Sequence, residues 1–304
     1  MEPHSNSFSI FGLGTIVVDH QVILESLPEA DTKGEVETDR YQVGGPVPTA
    51  LCLLTRFGAR TTCPGRWAED HFGEIIEADL LANEIDFDPP PQPADARTGF
   101  AHVWVERNTG HRTIAAYRGS HLIQPEEIDL ARVTSHDALH LDGWSGPAAL
   151  NAMHAVREAG GRVFMDLGSP KANLPALLED VEFLNCPARL IPRLFQTSDL
   201  EEGARELMKL GPREITITSG EKGALHLSAE GATRHPGFPI RAVDTNGAGD
   251  VFAGAMIFAS LHDWSPGRKL EFACAAAALK CKQLGNRDAL PSLETIEQFL
   301  AENS

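Results

Sequence analysis

The chain has 304 residues, enough for one large domain or two, and with 42% hydrophobic and 23% charged residues it has the composition of a globular protein. Its 43 acidic against 26 basic side chains leave a net charge of −17, which argues against a nonspecific nucleic-acid or anionic-membrane surface. Five scattered cysteines without a CxxC pair predict reduced thiols in the cytoplasm, and neither a signal peptide nor a run of transmembrane length is visible.

The first third of the chain contains a buried strand, a short strand and two amphipathic helices. The buried strand is predicted at 8–18, interrupted by Gly12 and Gly14, and the short strand at 61–63. The helices are predicted at 46–57, helical from about residue 49, and at 72–83. After residue 119 strands and helices alternate. Strands are predicted at 138–141, 162–166, 181–185, 214–218, 224–227 and 237–243, and helices at 147–159, 174–178, 200–210, 251–261, 270–284 and 293–302. This alternation predicts a mainly parallel sheet covered by helices on both faces, with ligands beyond the carboxyl ends of the strands.

Two segments do not fit the alternation. Residues 20–44 are polar with short β-like stretches, and residues 97–118 contain a hairpin whose turn is Asn108-Thr109-Gly110. We expect the two segments to form short antiparallel strands that pair into one small sheet over the site. Such a sheet would act as a lid.

The motif VDTNGAGDVFAGA, at 243–255, lies at a strand end and opens a helix. The turn Gly247-Ala248-Gly249 would present free amides and the positive end of the helix dipole, which suit a phosphate or an oxyanion. Asp250 follows directly and is a candidate base, although an Asp in a first helical turn can also be a cap. An anion site beside a base favours phosphoryl transfer to a hydroxyl group.

Other common motifs fail. Gly12-x-Gly14 begins a dinucleotide fingerprint, but Val17 occupies the third glycine position. No GxxxxGK[ST] loop is present, and His136 and His140 have zinc-ligand spacing only on a helix, whereas this segment predicts a strand. The commonest dehydrogenase, P-loop and zinc-hydrolase interpretations are therefore disfavoured.

From about residue 9 to residue 300 the chain resembles the ribokinase-like (PfkB) carbohydrate kinases, because DTNGAGDVFAGA is similar to the C-terminal signature of that family. The resemblance implies that Asp250 is the catalytic base and that the amides of Gly247, Ala248 and Gly249 form the anion hole. It also implies a Rossmann-like α/β domain and a discontinuous β lid. The domain would comprise 1–19, 45–96 and 119–304, and the lid 20–44 and 97–118.

Further positions match the family. Asp19 matches its sugar-hydroxyl-binding Asp, and Gly44-Gly45 its glycine pair, which lets a substrate approach the backbone. Thr49 stands where the family usually has Asn, which points away from a standard ribose or fructose, and a similar GGP-x-x-T-A pattern occurs in the sulfofructose-kinase-like branch. The nucleotide-binding residues implied by the resemblance are Asn185, Thr218, Gly220, Lys222, Gly223 and Gly285.

The implied cofactors are ATP and Mg²⁺. The family's Asn-x-x-Glu motif, which organises Mg²⁺, is Asn185-Cys186-Pro187-Ala188 here, so the Glu is absent. The resemblance also implies a monovalent cation, K⁺, next to Asp244, although Ala289 replaces the Ser that some members use there.

The sequence predicts ATP-dependent phosphorylation of a hydroxymethyl group on a sugar or sugar-like substrate. One alternative is a nucleoside kinase, because the motif variant with Asn246 also occurs in adenosine-kinase-like proteins, with Tyr117 and Trp104 as candidates to contact a base. Another is a ligand-binding regulator that lost turnover, which the missing Glu leaves open. We expect a small-molecule substrate and ATP as partners, no nucleic acid or membrane, and a homodimer formed through the lid strands.

Overall fold

The computed structural model describes residues 7–109, 111–120, 122–144 and 146–303. Gly110, in the predicted hairpin turn, and residues 1–6 lie outside the described residues. The described residues form twelve strands: β1 (Ser9–Leu13), β2 (Val17–Leu24), β3 (Val36–Gly44), β4 (Arg60–Thr62), β5 (Phe100–Glu106), β6 (Arg112–Tyr117), β7 (Ala138–Leu141), β8 (Arg162–Asp166), β9 (Phe183–Pro187), β10 (Glu214–Thr218), β11 (Ala224–Ser228) and β12 (Gly231–His235).

The same residues form ten α-helices and three short 3₁₀ turns. The helices are α1 (Pro46–Arg56), α2 (His71–Ala82), α3 (Leu130–Thr134), α4 (Gly146–Glu158), α5 (Leu174–Leu178), α6 (Ile191–Leu194), α7 (Leu200–Met208), α8 (Ala248–Leu261), α9 (Pro266–Cys281) and α10 (Leu293–Glu302). The 3₁₀ turns are Pro125–Glu127, Ala188–Leu190 and Gly220–Lys222. None of the described helices has the length and apolarity that a membrane span requires.

Eight strands form one sheet in the order β12-β11-β10-β9-β8-β7-β1-β4. In this sheet β10, β9, β8, β7, β1 and β4 are parallel to one another, and β11 and β12 add an antiparallel edge. Successive residues of the inner strands pack into two separate hydrophobic clusters, as Ile10 and Phe11 do in β1. Helices therefore cover both faces of the sheet, which is the predicted α/β architecture.

The remaining strands form the lid sheet, in the order β3-β2-β5-β6. The two segments predicted to pair thus share one sheet, but its central pair, β2 and β5, is parallel rather than antiparallel. The predicted strand at 8–18 is in fact two strands in two sheets. Between the two strands the chain passes Gly14, where a Cβ would come within 2.5 Å of Val47 and 2.8 Å of Asp142. Asp19 lies on β2, which pairs with β3 and β5, and so belongs to the lid sheet.

One predicted strand is absent. Residues 237–243 have no regular structure, and β12 lies before them instead. Pro236 and Pro239 lack the N–H that a sheet ladder requires, and Gly237 has φ +81°. Helix α1 begins at Pro46, earlier than the predicted start near Thr49, because proline fits the first turn of a helix.

Candidate active site

The glycine turn, residues 244–250, leads into helix α8. Gly247 precedes the helix with φ +76°, a conformation that favours glycine, and α8 begins at Ala248. The first amides of a helix have no intrahelical acceptor and lie at the positive end of its dipole. A Cβ placed on Gly249 would meet no atom within 4 Å, so the space beside the turn is open. The turn can therefore receive an anion.

Asp250 lies in the first turn of α8. Burial raises its pKa to about 6, although three cationic side chains oppose this shift: Arg112, Lys280 and Arg287. A carboxylate with such a pKa is largely ionised at neutral pH, and it is a stronger base than an ordinary Asp. The site thus contains a group suited to accepting a hydroxyl proton.

Two more carboxylates stand at the ends of neighbouring parallel strands. Asp142 directly follows β7, where its Oδ2 accepts a hydrogen bond from the Thr15 amide at 2.8 Å and its Oδ1 one from the Trp144 amide at 2.9 Å. Asp166 ends β8, and burial together with the charge of Asp250 raises its pKa to about 8. The sequence analysis did not identify Asp142. Its position between a buried strand and a glycine is the feature of the sequence that could have pointed to it.

Asp19 lies on β2 and is 8% exposed. A Cβ on Gly44 would come within 2.4 Å of Asp19 Oδ2, so the bare backbone there makes room for the carboxylate. Gly45 has φ +109°, and a Cβ on it would lie 2.1 Å from a main-chain oxygen. Burial raises the pKa of Asp19 to about 6, a hydrogen bond from Asn246 opposes the shift, and the charge of Asp250 adds to it. The two carboxylates therefore face one site across the lid boundary.

Thr49 is fully buried in α1. Its Oγ1 accepts a hydrogen bond from Arg287 Nη1 at 3.2 Å, and Arg287 also pairs with Asp79, Nη2 to Oδ2 at 3.1 Å. The charge of Arg287 lowers the pKa of Asp19 and of Asp250. Thr49 thus acts on the site indirectly, because it helps to position the guanidinium group of Arg287. Sequence reasoning missed Arg287, because nothing local distinguishes a lone arginine in a loop.

The residues expected to bind nucleotide lie near the ends of β9 and β10. Thr218 ends β10 and pairs in register with Pro187 of β9. In the following loop Gly220 and Gly223 have φ +60° and +79°, and a Cβ on Gly223 would come 1.9 Å from a main-chain oxygen, so only glycine fits there. The structure brings Thr218 to the strand ends but leaves Lys222 exposed.

Asn185 lies between the residues expected to bind nucleotide and the strand-end carboxylate Asp166. Its Nδ2 donates to Asp166 Oδ1 at 2.9 Å, while its Oδ1 is buried and has no hydrogen-bond partner in the part of the chain that is described. No group of three His, Cys, Asp or Glu side chains among the described residues could hold a metal by itself. Mg²⁺ usually takes one or two protein oxygens and completes its shell with water and phosphate. The unpartnered Asn185 oxygen beside Asp166 fits an ion of that kind.

Gly285 connects the loop after α9 to the glycine turn. Its amide donates to Asp244 Oδ2 at 3.0 Å, and its φ of +105° again favours glycine. Next to it, Asn286 Oδ1 accepts a hydrogen bond from Asn246 Nδ2 at 3.3 Å. The loop and the turn therefore hold each other in place.

Arg112 connects the lid sheet to the glycine turn. It lies on β6, and its Nη1 donates to Thr245 Oγ1 at 2.9 Å. Its charge lowers the pKa of both Asp19 and Asp250. Sequence reasoning missed this residue, since contact between β6 and residue 245 depends entirely on how the lid sits on the main domain.

A cluster of two cations and one aromatic ring, the Trp144 cluster, lies between the lid and the strand ends. The guanidinium carbon of Arg118, just after β6, is 3.7 Å from the Trp144 ring centre, and Lys171 Nζ, after β8, is 3.5 Å from it. Burial lowers the pKa of Lys171 to about 8, which the nearby carboxylates Asp142 and Asp166 oppose. The cluster therefore adjoins the strand-end carboxylates.

Solved structures share this fold. Ribokinase from Giardia lamblia superimposes with a TM-score of 0.86 at 16% identity, over 98% of this chain and 100% of the other. Arabidopsis thaliana ribokinase, solved with ribose and ATP, superimposes with a TM-score of 0.80 at 22% identity, over 97% and 99%. At these identities the similarity establishes a ribokinase-like fold.

Sequence comparisons extend the similarity to activity. The "ATP-dependent ribose-1-phosphate kinase" of Halopiger xanaduensis is 27% identical over 298 residues, which cover 96% of this chain and 98% of that protein. The fructokinase of Solanum tuberosum is 27% identical over 311 residues, which cover 93% and 92%. The family described as "pfkB family carbohydrate kinase" matches residues 8–293, and the chain therefore belongs to this family and is a carbohydrate kinase.

Proposed function

We propose that this kinase transfers the γ-phosphoryl group of ATP to a hydroxymethyl group of a sugar-like substrate, with Asp250 as the base. The observation that carries the proposal is the position of Asp250, whose pKa is raised to about 6, in the first turn of α8 beside an open glycine turn. A phosphoryl-transfer site needs little more than positioning, charge stabilisation and a group to take the hydroxyl proton.

In this mechanism the Asp250 carboxylate accepts the proton of the substrate hydroxyl. The hydroxyl oxygen forms a bond to the γ-phosphorus while the bond from phosphorus to the bridging oxygen of ADP breaks. The amides of Gly247, Ala248 and Gly249 would stabilise the charge on the transferred group. Asp250 is oriented for this by helix α8, whose first turn also supplies those amides.

Asn185 and Asp166 would hold Mg²⁺ together with the phosphates of ATP, and the ion would neutralise phosphate charge there. Thr218, Gly220, Lys222, Gly223 and Gly285 would line the nucleotide. Asp19, Gly44 and Gly45 would bind sugar hydroxyls from the lid side. Closure of the lid, which Arg112 already connects to the glycine turn, would exclude water and limit hydrolysis of ATP.

The Trp144 cluster favours a substrate that already carries an anionic group. Arg118 and Lys171 form no ion pair among the described residues, although the chain has a net charge of −17. The Lys171 ammonium group lies near Asp142 and Asp166, and the Arg118 guanidinium group shares the Trp144 ring with it, so both charges are within reach of a molecule bound between the lid and the strand ends. The name of the Halopiger xanaduensis relative likewise specifies a sugar that carries a phosphate.

A screen of ATP consumption tests this substrate class. Pairs of neutral and anionic sugars (phosphorylated, sulfonated or carboxylated) and nucleosides are compared at equal concentration. We expect turnover of an anionic sugar, and in Lys171→Met a KM for it that rises about 10- to 100-fold, because a charge-assisted contact is lost. The KM for ATP should stay unchanged, as should both constants in the control Lys209→Met, an exposed helix-end lysine. If the neutral sugar of a pair were turned over as fast as the anionic one, or if Lys171→Met changed only the KM for ATP, Arg118 and Lys171 would not bind an anionic group of the sugar.

The nucleoside alternative is less well supported. Asp19 pairs with Ala101 in the lid sheet, so Trp104 and Tyr117, which pairs with Phe100, lie on the opposite face of that sheet. Neither ring therefore shares a face with the carboxylate expected to bind the sugar. Turnover of a nucleoside in the screen would reverse this conclusion.

We further propose a homodimer formed through the lid. Strand β6 is an edge strand, and its residues from Arg112 to Ala116 are exposed. An exposed edge invites pairing, and a second copy would cover it. Sedimentation at micromolar concentration should show a dimer that Ala115→Lys converts to monomer. A wild-type protein that is monomeric at all concentrations would contradict this arrangement.

The compartment we propose is the cytoplasm. All five cysteines are free and buried, as expected of a protein that folds where thiols stay reduced.

A further inference from the structure

A fully buried lysine lies behind the glycine turn. Lys280, on α9, is 0% exposed, and its Nζ lies 2.9 Å from the main-chain oxygen of Asp244 and 3.4 Å from Asp244 Oδ2. Asp244 is itself only 2% exposed. A buried ammonium group is costly unless it is paired and hydrogen-bonded, so these contacts are what make Lys280 tolerable at this position.

The oxygens of Asp244 are all engaged by this chain. Oδ1 accepts from the Asn246 amide at 2.8 Å, and Oδ2 accepts from the Gly285 amide at 3.0 Å in addition to facing the ammonium group. The amide of Asp244 donates to the main-chain oxygen of Cys281 at 3.2 Å. Asp244 thus joins three parts of the molecule, namely the end of α9, the Gly285 loop and the turn that carries Asp250.

The monovalent cation implied by the family resemblance does not fit this arrangement. K⁺ next to Asp244 would need the carbonyl and carboxylate oxygens that Lys280 Nζ contacts. Two cations sharing the same oxygens repel each other strongly at such short separations. The position of Ala289 also offers no hydroxyl oxygen to a cation.

We propose that the Lys280 ammonium group serves as a built-in cation, which orders the glycine turn permanently and makes the enzyme independent of K⁺. Lys280 is a positioning residue, since it acts through Asp244 on the turn that would carry the base and the anion hole. The inference rests on the proposed function for its activity readout. Its charge also helps Asp250 to ionise, since it lowers the pKa of that carboxyl.

The first test uses the wild-type enzyme. Its kcat is measured with saturating Mg·ATP in K⁺, NH₄⁺, Na⁺ and choline at equal ionic strength. We expect values within about twofold of one another, because a cation held by the chain replaces the one from solution. A several-fold activation that is specific to K⁺ and NH₄⁺ would overturn the proposal.

The second test converts the enzyme into a cation-dependent one. Lys280→Met should lose about 10- to 100-fold in kcat in choline, the range for slight misplacement of catalytic groups. K⁺ or NH₄⁺ should restore activity saturably, since removal of the ammonium group frees the Asp244 oxygens. The matched control is Lys269→Met: Lys269 is a second buried lysine of α9, 6% exposed and paired with Glu214 at 3.0 Å. This control should not respond to K⁺.

A readout without turnover separates this inference from the proposed function. K⁺ should raise the melting temperature of Lys280→Met saturably, and it should not raise that of the wild type beyond the effect of choline. Lys280→Gln, which keeps a donor but not the charge, gives a second measurement if the Met variant does not fold. Absence of any K⁺ response in activity and in melting of the folded variants would refute the built-in cation, whereas a melting response without turnover on any substrate would support it and count against the proposed function.

Discussion

The variant Asp250→Asn is expected to lower kcat by about 10³-fold while the KM values for ATP and sugar change little. Asn keeps the shape of the side chain but cannot accept the hydroxyl proton, so binding persists and the chemical step does not. A coupled assay for ADP under single-turnover and steady-state conditions measures the change. Turnover close to that of the wild type would show that another group takes the proton.

The pH dependence of kcat/KM gives a second test of Asp250 as the base. Burial raises the pKa of Asp250 to about 6, so the wild-type kcat/KM should decline as pH falls through this value, when a proton occupies the base. The residual activity of Asp250→Asn should lack this decline. A decline that persists in the variant would assign it to another group, such as Asp19, whose pKa is also raised to about 6.

Stability provides the control for folding. A carboxyl whose folded-state pKa is raised contributes stability below its unfolded pKa, and this contribution is lost as pH rises through the folded pKa. For Asp250 the window runs from the ordinary value of 3.8 up to about 6. Asp250→Asn should therefore melt above the wild type at pH 7, with the difference shrinking toward pH 4. A lower melting temperature would mean that the variant has lost more than a base.

The second large effect comes from one added methyl group. Gly44→Ala is expected to lower kcat/KM for the sugar by about 10²-fold, as much as Asp19→Asn, with the KM for ATP unchanged. A Cβ on Gly44 would lie 2.4 Å from Asp19 Oδ2, so the carboxylate has to leave its position although it remains in the chain. Sugar hydroxyls would then lose the charged acceptor that we propose for them. Initial rates over a range of sugar concentrations measure the effect.

Gly267→Ala is the matched control, because a Cβ there meets nothing within 4 Å and the residue lies in the first part of α9, away from the site. Its kinetics should match the wild type. If Gly44→Ala also matched the wild type, Asp19 would not bind the substrate. If Gly44→Ala lowered kcat/KM for the sugar and Asp19→Asn did not, we would conclude that the missing side chain at Gly44 makes room for the substrate rather than for Asp19.

Local patterns predicted much of this molecule. Helices such as α2 and α8, the alternation that makes a parallel sheet, and the turn that places Asp250 in a first helical turn are all properties of short stretches, and the structure contains each of them. The family and the kinase class are confirmed by the comparisons. The roles of the individual site residues stay predictions.

Of the two wrong strand predictions, one has a tertiary cause and the other a local cause. One strand, interrupted by Gly12 and Gly14, is predicted at 8–18, but the structure divides this segment between β1 of the eight-stranded sheet and β2 of the lid sheet, and only the tertiary structure determines that division. The strand expected at 237–243 has suitable side chains, yet prolines and a positive φ at Gly237 prevent pairing.

By itself the sequence determined the α/β architecture and the Gly-rich turn with its adjacent carboxylate, because both depend on neighbours within a few residues. Only the tertiary structure decided which charges surround that turn. Arg112 arrives from the lid, Arg287 from the loop after α9, and Lys280 from the end of α9, where its Nζ reaches Asp244 at 2.9 Å. Strand order and the placement of the lid bring these groups together although they are far apart in the sequence. No local motif or hydrophobic periodicity predicts such long-range contacts.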